Sequence, residues 1–72
     1  MAEQVLTQVP GNVWKVLVQP GDMVKAGDTL FILEVMKTEV EHDATSDGTV
    51  TAVNITEGQE GIDAGVLAVD IS

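Results

Sequence analysis

Gly11-Asn12-Val13-Trp14-Lys15-Val16-Leu17-Val18 comes back 37 positions later as Gly48-Thr49-Val50-Thr51-Ala52-Val53-Asn54-Ile55, and Gly21 is then met by Gly58. One extra residue near Gly61 brings Val24, Ala26 and Gly27 onto Ile62, Ala64 and Gly65. Beyond it the offset of 37 is expected to resume, with Leu30 on Leu67 and Ile32 on Val69. Two glycines ten apart, and the apolar positions between them, recur in order, so the chain reads as an internal repeat. Each unit of some 30 residues is too small to bury an apolar face alone. Two such half-sheets stacked about a pseudo-two-fold axis solve that problem.

Inside each unit Val16 and Val18, like Val53 and Ile55, keep a period of two, while Val13 and Val50 sit three residues ahead of the first of each pair. A slip of one residue in phase predicts a bend or bulge just after each glycine. Val, Ile and Thr supply 23 of the 72 residues, a β-branched bias that favours strands. Turn signals at Pro10-Gly11, Pro20-Gly21-Asp22, Gly27-Asp28, Ser46-Asp47-Gly48, Glu57-Gly58 and Gly65 leave runs of strand length between them. The expected strands lie near 4–8, 12–18, 22–24, 29–35, 38–44, 49–55, 60–63 and 66–71. Leu30-Phe31-Ile32-Leu33 is apolar on both parities, as a strand covered on both faces would be. The fold class is all-β, and residues 1–72 are expected to form one domain.

A chain this short hides only about 60% of its unfolded surface, and there is no Cys to staple it. Twelve acidic residues against three lysines give a net charge of -9, which argues against nucleic acid and anionic membrane surfaces as partners. No apolar run approaches the ~20 residues of a membrane span. Met1-Ala2-Glu3 does not read as a secretory signal, and without thiols the expected compartment is the cytoplasm.

The repeat also singles out the connection between its halves, roughly Glu34 to Glu39. After it Val40, His42 and Ala44 share one face and Glu39, Glu41 and Asp43 the other, so Met36-Lys37 reads as a hairpin tip. A lone Lys at such a tip is ordinarily a solubilising charge. This one is among only three, stands where the symmetry is interrupted, and has beside it a Met with no packing task in so small a turn. A ligand-like role follows.

Here the sequence resembles the biotinyl/lipoyl attachment domains, most closely biotin carboxyl carrier domains, whose attachment motif reads Glu-Ala-Met-Lys-Met. The matching stretch is Glu34-Val35-Met36-Lys37-Thr38. Gly11-Asn12-Val13, Pro20-Gly21-Asp22, Gly27-Asp28, Asp47-Gly48-Thr49-Val50 and Glu57-Gly58 are similar to the family's framework, so that the resemblance covers about residues 9–71. It implies a flattened β-barrel, or barrel-sandwich hybrid, of two four-stranded antiparallel sheets. It also implies biotin held covalently by Lys37, with Glu34, Met36 and Thr38, and to a lesser extent Glu39, facing a biotin protein ligase.

A neutral lysine amine attacks an activated acyl group to leave an amide. The resemblance further implies a monomeric, non-catalytic carrier that visits a biotin carboxylase and a carboxyltransferase. Thr38 stands where biotin domains carry a second Met, Val35 replaces Ala, and Gln59-Glu60-Gly61 departs from the usual second turn. Lipoyl domains place Asp before the Lys, so Met36 favours biotin over lipoate. A lipoyl carrier of a 2-oxo acid dehydrogenase or glycine-cleavage system, and an unmodified interaction module, are the alternatives.

Other chemistry finds little support. Alternation turns His42 away from Glu41 and Asp43, which makes it a core or barrel-end residue rather than a metal ligand. Ser46 before Asp47-Gly48 is a turn residue and not a nucleophile. Trp14, on the parity of Val16 and Val18, is expected in the core or partly exposed, and the glycines do not follow the strand-to-helix pattern of a phosphate loop.

Overall fold

In the computed structural model residues 3–72 are described; Met1 and Ala2, on which the expectation about a secretory signal rests, lie outside them. Seven strands form: β1 (Glu3–Leu6), β2 (Asn12–Val16), β3 (Met23–Val24), β4 (Thr29–Val35), β5 (Thr38–Asp43), β6 (Gly48–Val53) and β7 (Leu67–Ile71). They make a four-stranded sheet in the order β1-β7-β6-β3 and a three-stranded sheet in the order β2-β4-β5. The expected strand at 60–63 is reduced to a single bridge between Gly11 and Ile62, so the second sheet has three strands and a bridge rather than four strands. The two sheets curl over one apolar core, in a body of 33 × 19 × 18 Å.

The repeat is real in three dimensions. Gly11 pairs with Ile62 as Gly48 pairs with Val24. Val13 N donates to Gln59 O as Val50 N donates to Asp22 O, and Gly58 N to Val13 O as Gly21 N to Val50 O. Every one of these bonds joins one half to the other, so neither half is a separate folding unit. The predicted bulges are present, with register slips between Val13 and Lys15 and between Val50 and Ala52.

One sequence expectation is corrected by the ladders. Val13 faces Leu33 and Val16 faces Phe31, while Val50 faces Ile71 and Val53 faces Val69. The offset therefore stays at 38 after the insertion, pairing Leu33 with Ile71 and Phe31 with Val69, and does not return to 37. The bulge residue Trp14 turns outward, 42% exposed, with the Lys15 ammonium 5.5 Å from its ring centre.

The core is built from Val5, Val13, Leu30, Phe31, Leu33, Val50, Val69 and Ile71 among others. Each fully buried Leu or Phe contributes about 1.5–3 kcal/mol. β4 lies between β2 and β5, and its Leu30, Phe31 and Leu33 are completely buried, so it is firmly held on both edges. Gly11 and Gly48 recur for a steric reason: a Cβ on Gly11 would lie 2.6 Å from Glu34 O and 2.8 Å from Val35 Cγ2, and one on Gly48 would collide with Ile71 and Ser72. Only a bare backbone lets the neighbouring strand approach that closely.

Candidate functional site: the β4–β5 hairpin tip

Val35 and Thr38 close the β4–β5 ladder, and only Met36 and Lys37 lie between them. Both have positive φ, 49° and 67°. Two left-handed residues in a two-residue hairpin loop make a type I′ turn, whose twist matches the strands it joins. Asn-Gly is the usual choice there, and side chains such as Met and Lys cost about 1 kcal/mol each in that conformation. The tip is thus strained, and the ladder beneath enforces it. Met36 is 93% exposed and Lys37 is exposed beside it.

Around the tip, Glu34 and Glu39 are direct cross-strand partners and both are exposed. Like charges set opposite one another destabilise a sheet, so the acidic collar under Lys37 is not there for stability. Thr38 is also exposed. The structure therefore brings Glu34, Met36, Lys37, Thr38 and Glu39 together on one projecting element.

The far side of the hairpin is anchored. His42 is buried and stacks on Phe31, with ring centres 4.5 Å apart and an interplanar angle of 18°. Its Nε2 accepts the Gln8 N–H at 2.9 Å and its Nδ1 lies 3.3 Å from Val40 O, an arrangement that suits the neutral ring protonated on Nδ1. Burial holds the His42 pKa below its ordinary 6.5, against smaller opposing effects of Val40 O and Asp43. The core role expected for His42 is what the geometry shows, and its link to Gln8 was not visible in sequence. The Thr45 hydroxyl donates to Glu3 at 2.6 Å and, with a smaller effect, Ser46 does so at 3.0 Å, which lowers the Glu3 pKa.

Those last contacts locate the tip. Glu3, at the outer end of β1, meets Thr45 and Ser46, which follow the base of the hairpin. Thr7, past the other end of β1, donates to Asp63 O beside the Ile62–Gly11 bridge, next to Glu34. The outer end of β1, like Ser72 on Thr49, thus lies toward the base of the hairpin and its other end beside Glu34, so Lys37 projects from the end of the molecule opposite Glu3 and Ser72. No group of three or more His, Cys, Asp or Glu among the described residues could hold a metal ion, and no helix is long and apolar enough to cross a membrane.

This arrangement can display a primary amine on a rigid stalk, with its neighbours free for a partner to read. Comparison with known proteins identifies the family. A profile of the family described as "Biotin-requiring enzyme" matches residues 3–71. The chain is 47% identical over 51 residues to the biotin carboxyl carrier protein of Streptococcus mutans, covering 71% of this chain and 39% of that one. It is 39% identical over 72 residues to the biotinylated protein TB7.3 homolog of Mycobacterium leprae, covering the whole of both.

A lipoyl relative also matches. The dihydrolipoyllysine-residue acetyltransferase component of the pyruvate dehydrogenase complex of Rhizobium meliloti is 38% identical over 61 residues, 85% of this chain but 14% of that one. Among solved structures, the Kluyveromyces lactis urea carboxylase superposes on all of this chain with a TM-score of 0.89 and 36% identity, over 6% of its own length. The chain spans well under half of the streptococcal, rhizobial and yeast proteins. With a profile matched over nearly its whole length and this barrel-sandwich architecture, the chain belongs to the biotin/lipoyl attachment family.

Proposed function

We propose that the chain is a biotin carboxyl carrier domain, biotinylated on Lys37 Nζ by a biotin protein ligase. The observation that carries this reading is the strained tip: two large side chains held at positive φ and fully displayed, at the end of the molecule farthest from Glu3 and Ser72. Nothing in the fold requires them there. Glu34, Met36 and Thr38, with Glu39, are the neighbours a ligase would read. The residues fit the group, because an exposed amine needs no pocket on the carrier to form an amide.

In that step Nζ bonds to the acyl carbon of biotinyl-adenylate, the acyl–phosphate bond breaks, AMP departs and the amine loses a proton. One positive charge disappears, so the formal charge goes from -9 to -10. When attached, biotin supplies a ring that a biotin carboxylase loads with a carboxyl group and a carboxyltransferase unloads. The chain itself performs no bond chemistry. β4 fixes the origin of the arm, the acidic collar keeps the tip hydrated, and the projecting turn lets two active sites reach the same group.

Met36 in place of Asp before the lysine supports biotin over lipoate. Co-expression with a biotin protein ligase, read by intact mass, tests the proposal. The expected result is one biotinyl group per chain, absent from Lys37→Ala. No added mass, or the same mass on Lys37→Ala, overturns it, and modification by a lipoyl ligase alone establishes the lipoyl alternative.

A further inference from the structure

Because the chain is built twice, each half serves as a control for what the fold requires of the other. Leu17 and Met23 are 52% and 86% exposed. At the matching places the second half carries Asn54 and the Glu60-Gly61 pair. At the first of these places both halves form the same backbone bond: Leu17 N donates to Leu30 O as Asn54 N donates to Ala68 O. The fold therefore does not need an apolar side chain at 17, and the Met23 side chain, almost wholly exposed, adds nothing to the core.

Nor are the particular acids of the first half repeated. Asp22 accepts Gln19 N–H at 3.0 Å, and the neutral Gln59 does the same for Thr56 N–H at 3.1 Å. Asp28 and Asp47, which cap Lys25 N and Ala26 N, correspond to Val66 and Pro10. The matching stretch of the second half is acidic too, with Glu57, Glu60 and Asp63, so what the first half alone carries is apolar surface set beside its acids.

That place is concave. Met23 forms a ridge between two grooves. One, of about 370 Å³, is lined by Leu17, Val18, Asp22 and Asp28. The other, of about 330 Å³, is lined by Lys25, Asp47 and Thr49. β3 is the edge strand of its sheet, so no element of this chain covers it. β3 pairs with Gly48 and Thr49, and Thr49 exchanges backbone bonds with Ser72, which sets the grooves at the end of the molecule away from Lys37.

We propose that the paired grooves flanking Met23 dock a protein segment that presents apolar side chains between basic ones, leaving the Lys37 tip free. Leu17, Met23 and Val24 set beside Asp22, Asp28 and Asp47 complement that chemistry. A second copy of this chain would bring the same aspartates and the same charge of -9 and is repelled. The inference stands whether or not Lys37 is modified.

The test is an NMR titration of the full chain with the synthetic peptide acetyl-Lys-Leu-Lys-Phe-Lys-amide, with two control peptides: one with Gly for Leu and Phe, one with Glu for Lys. The basic apolar peptide is expected to shift the Leu17, Val24 and Thr49 amides and the Met23 methyl saturably, with the tip unmoved. Met23→Gln, and separately the Gly peptide, are expected to weaken binding at least about fivefold, the scale of losing burial of much of a Met side chain. Shifts confined to Glu39, Glu41 and Asp43, equal binding of the acidic peptide, no loss in Met23→Gln, or no saturation overturns the proposal. Concentration-dependent broadening at Met23 without peptide also overturns it, in favour of self-association.

Discussion

The β4–β5 hairpin and the β7–β1 pair are the same structure seen twice. Phe31 faces His42 as Val69 faces Val5, and the slip between Thr29 and Phe31 repeats the one between Leu67 and Val69. One pair is closed by Met36 and Lys37, while the other is left open between Glu3 and Ile71. Closure forces two residues to positive φ and pushes their side chains into solvent. The scaffold is indifferent to which pair is closed, and the candidate site arises where the two-fold is broken. His42 marks a second break, a polar ring where the other half has Val5.

The comparison breaks most completely at Lys37. Lys37→Arg keeps the charge and the turn but removes an acylable amine, so modification should vanish by intact mass although Lys15 and Lys25 remain. The repeat glycines come next. Gly11→Ala and Gly48→Ala each force a Cβ into the neighbouring strand and are expected to destabilise by about 1–3 kcal/mol in urea unfolding. Only Gly11→Ala should also shift the amide signals of Met36 and Lys37, because it alone presses on Glu34 and Val35.

His42→Val makes the halves alike at that position but leaves Gln8 N–H without its acceptor, and should cost about 1–3 kcal/mol. The pH dependence separates this from simple packing loss. His42 titrates lower in the fold than when unfolded, so the unfolded chain binds the proton first. Stability contributed by the neutral ring is full above about pH 6.5 and falls as the pH drops below it. Glu3, also depressed, adds a loss below about pH 4.5. His42→Val should abolish the first decline and keep the second, as read by thermal melts across pH.

A smaller effect of opposite sign is expected at the turn. Met36→Asn relieves a left-handed residue and should stabilise by up to about 1 kcal/mol while slowing the ligase, which a modification time course and a melt would show together. The smallest effect sharpens the docking inference: Leu17→Asn, the residue its twin Asn54 already has, should change stability by no more than about 0.5 kcal/mol.

Much of this was legible because period and phase are local properties. The slip between Val13 and Val16 announced a bulge, and the parity from Val40 to Ala44 announced which face of β5 is buried. The offset after Gly61 was not legible. Leu30-Phe31-Ile32-Leu33 is apolar at every position, so offsets of 37 and 38 both match hydrophobe to hydrophobe, and only the hydrogen-bond ladder chooses 38. The strand expected at 60–63 shrank to the Ile62 bridge because Gly61 turns the chain at positive φ just before it. At the tip, the sequence placed Met36 and Lys37 in a turn, but the facing of Glu34 and Glu39 depended on register.

What the order of residues determined unaided was an all-β chain written twice, with a lysine at the junction, since β-branched runs and glycine spacing act over neighbouring residues. The tertiary structure alone decided which contacts cross between halves: His42 on Phe31 and Gln8, and Glu3 on Thr45 and Ser46. Those pairings join residues more than ten apart in sequence. Their free energy comes from closing the sheets on one another, and no local pattern records it.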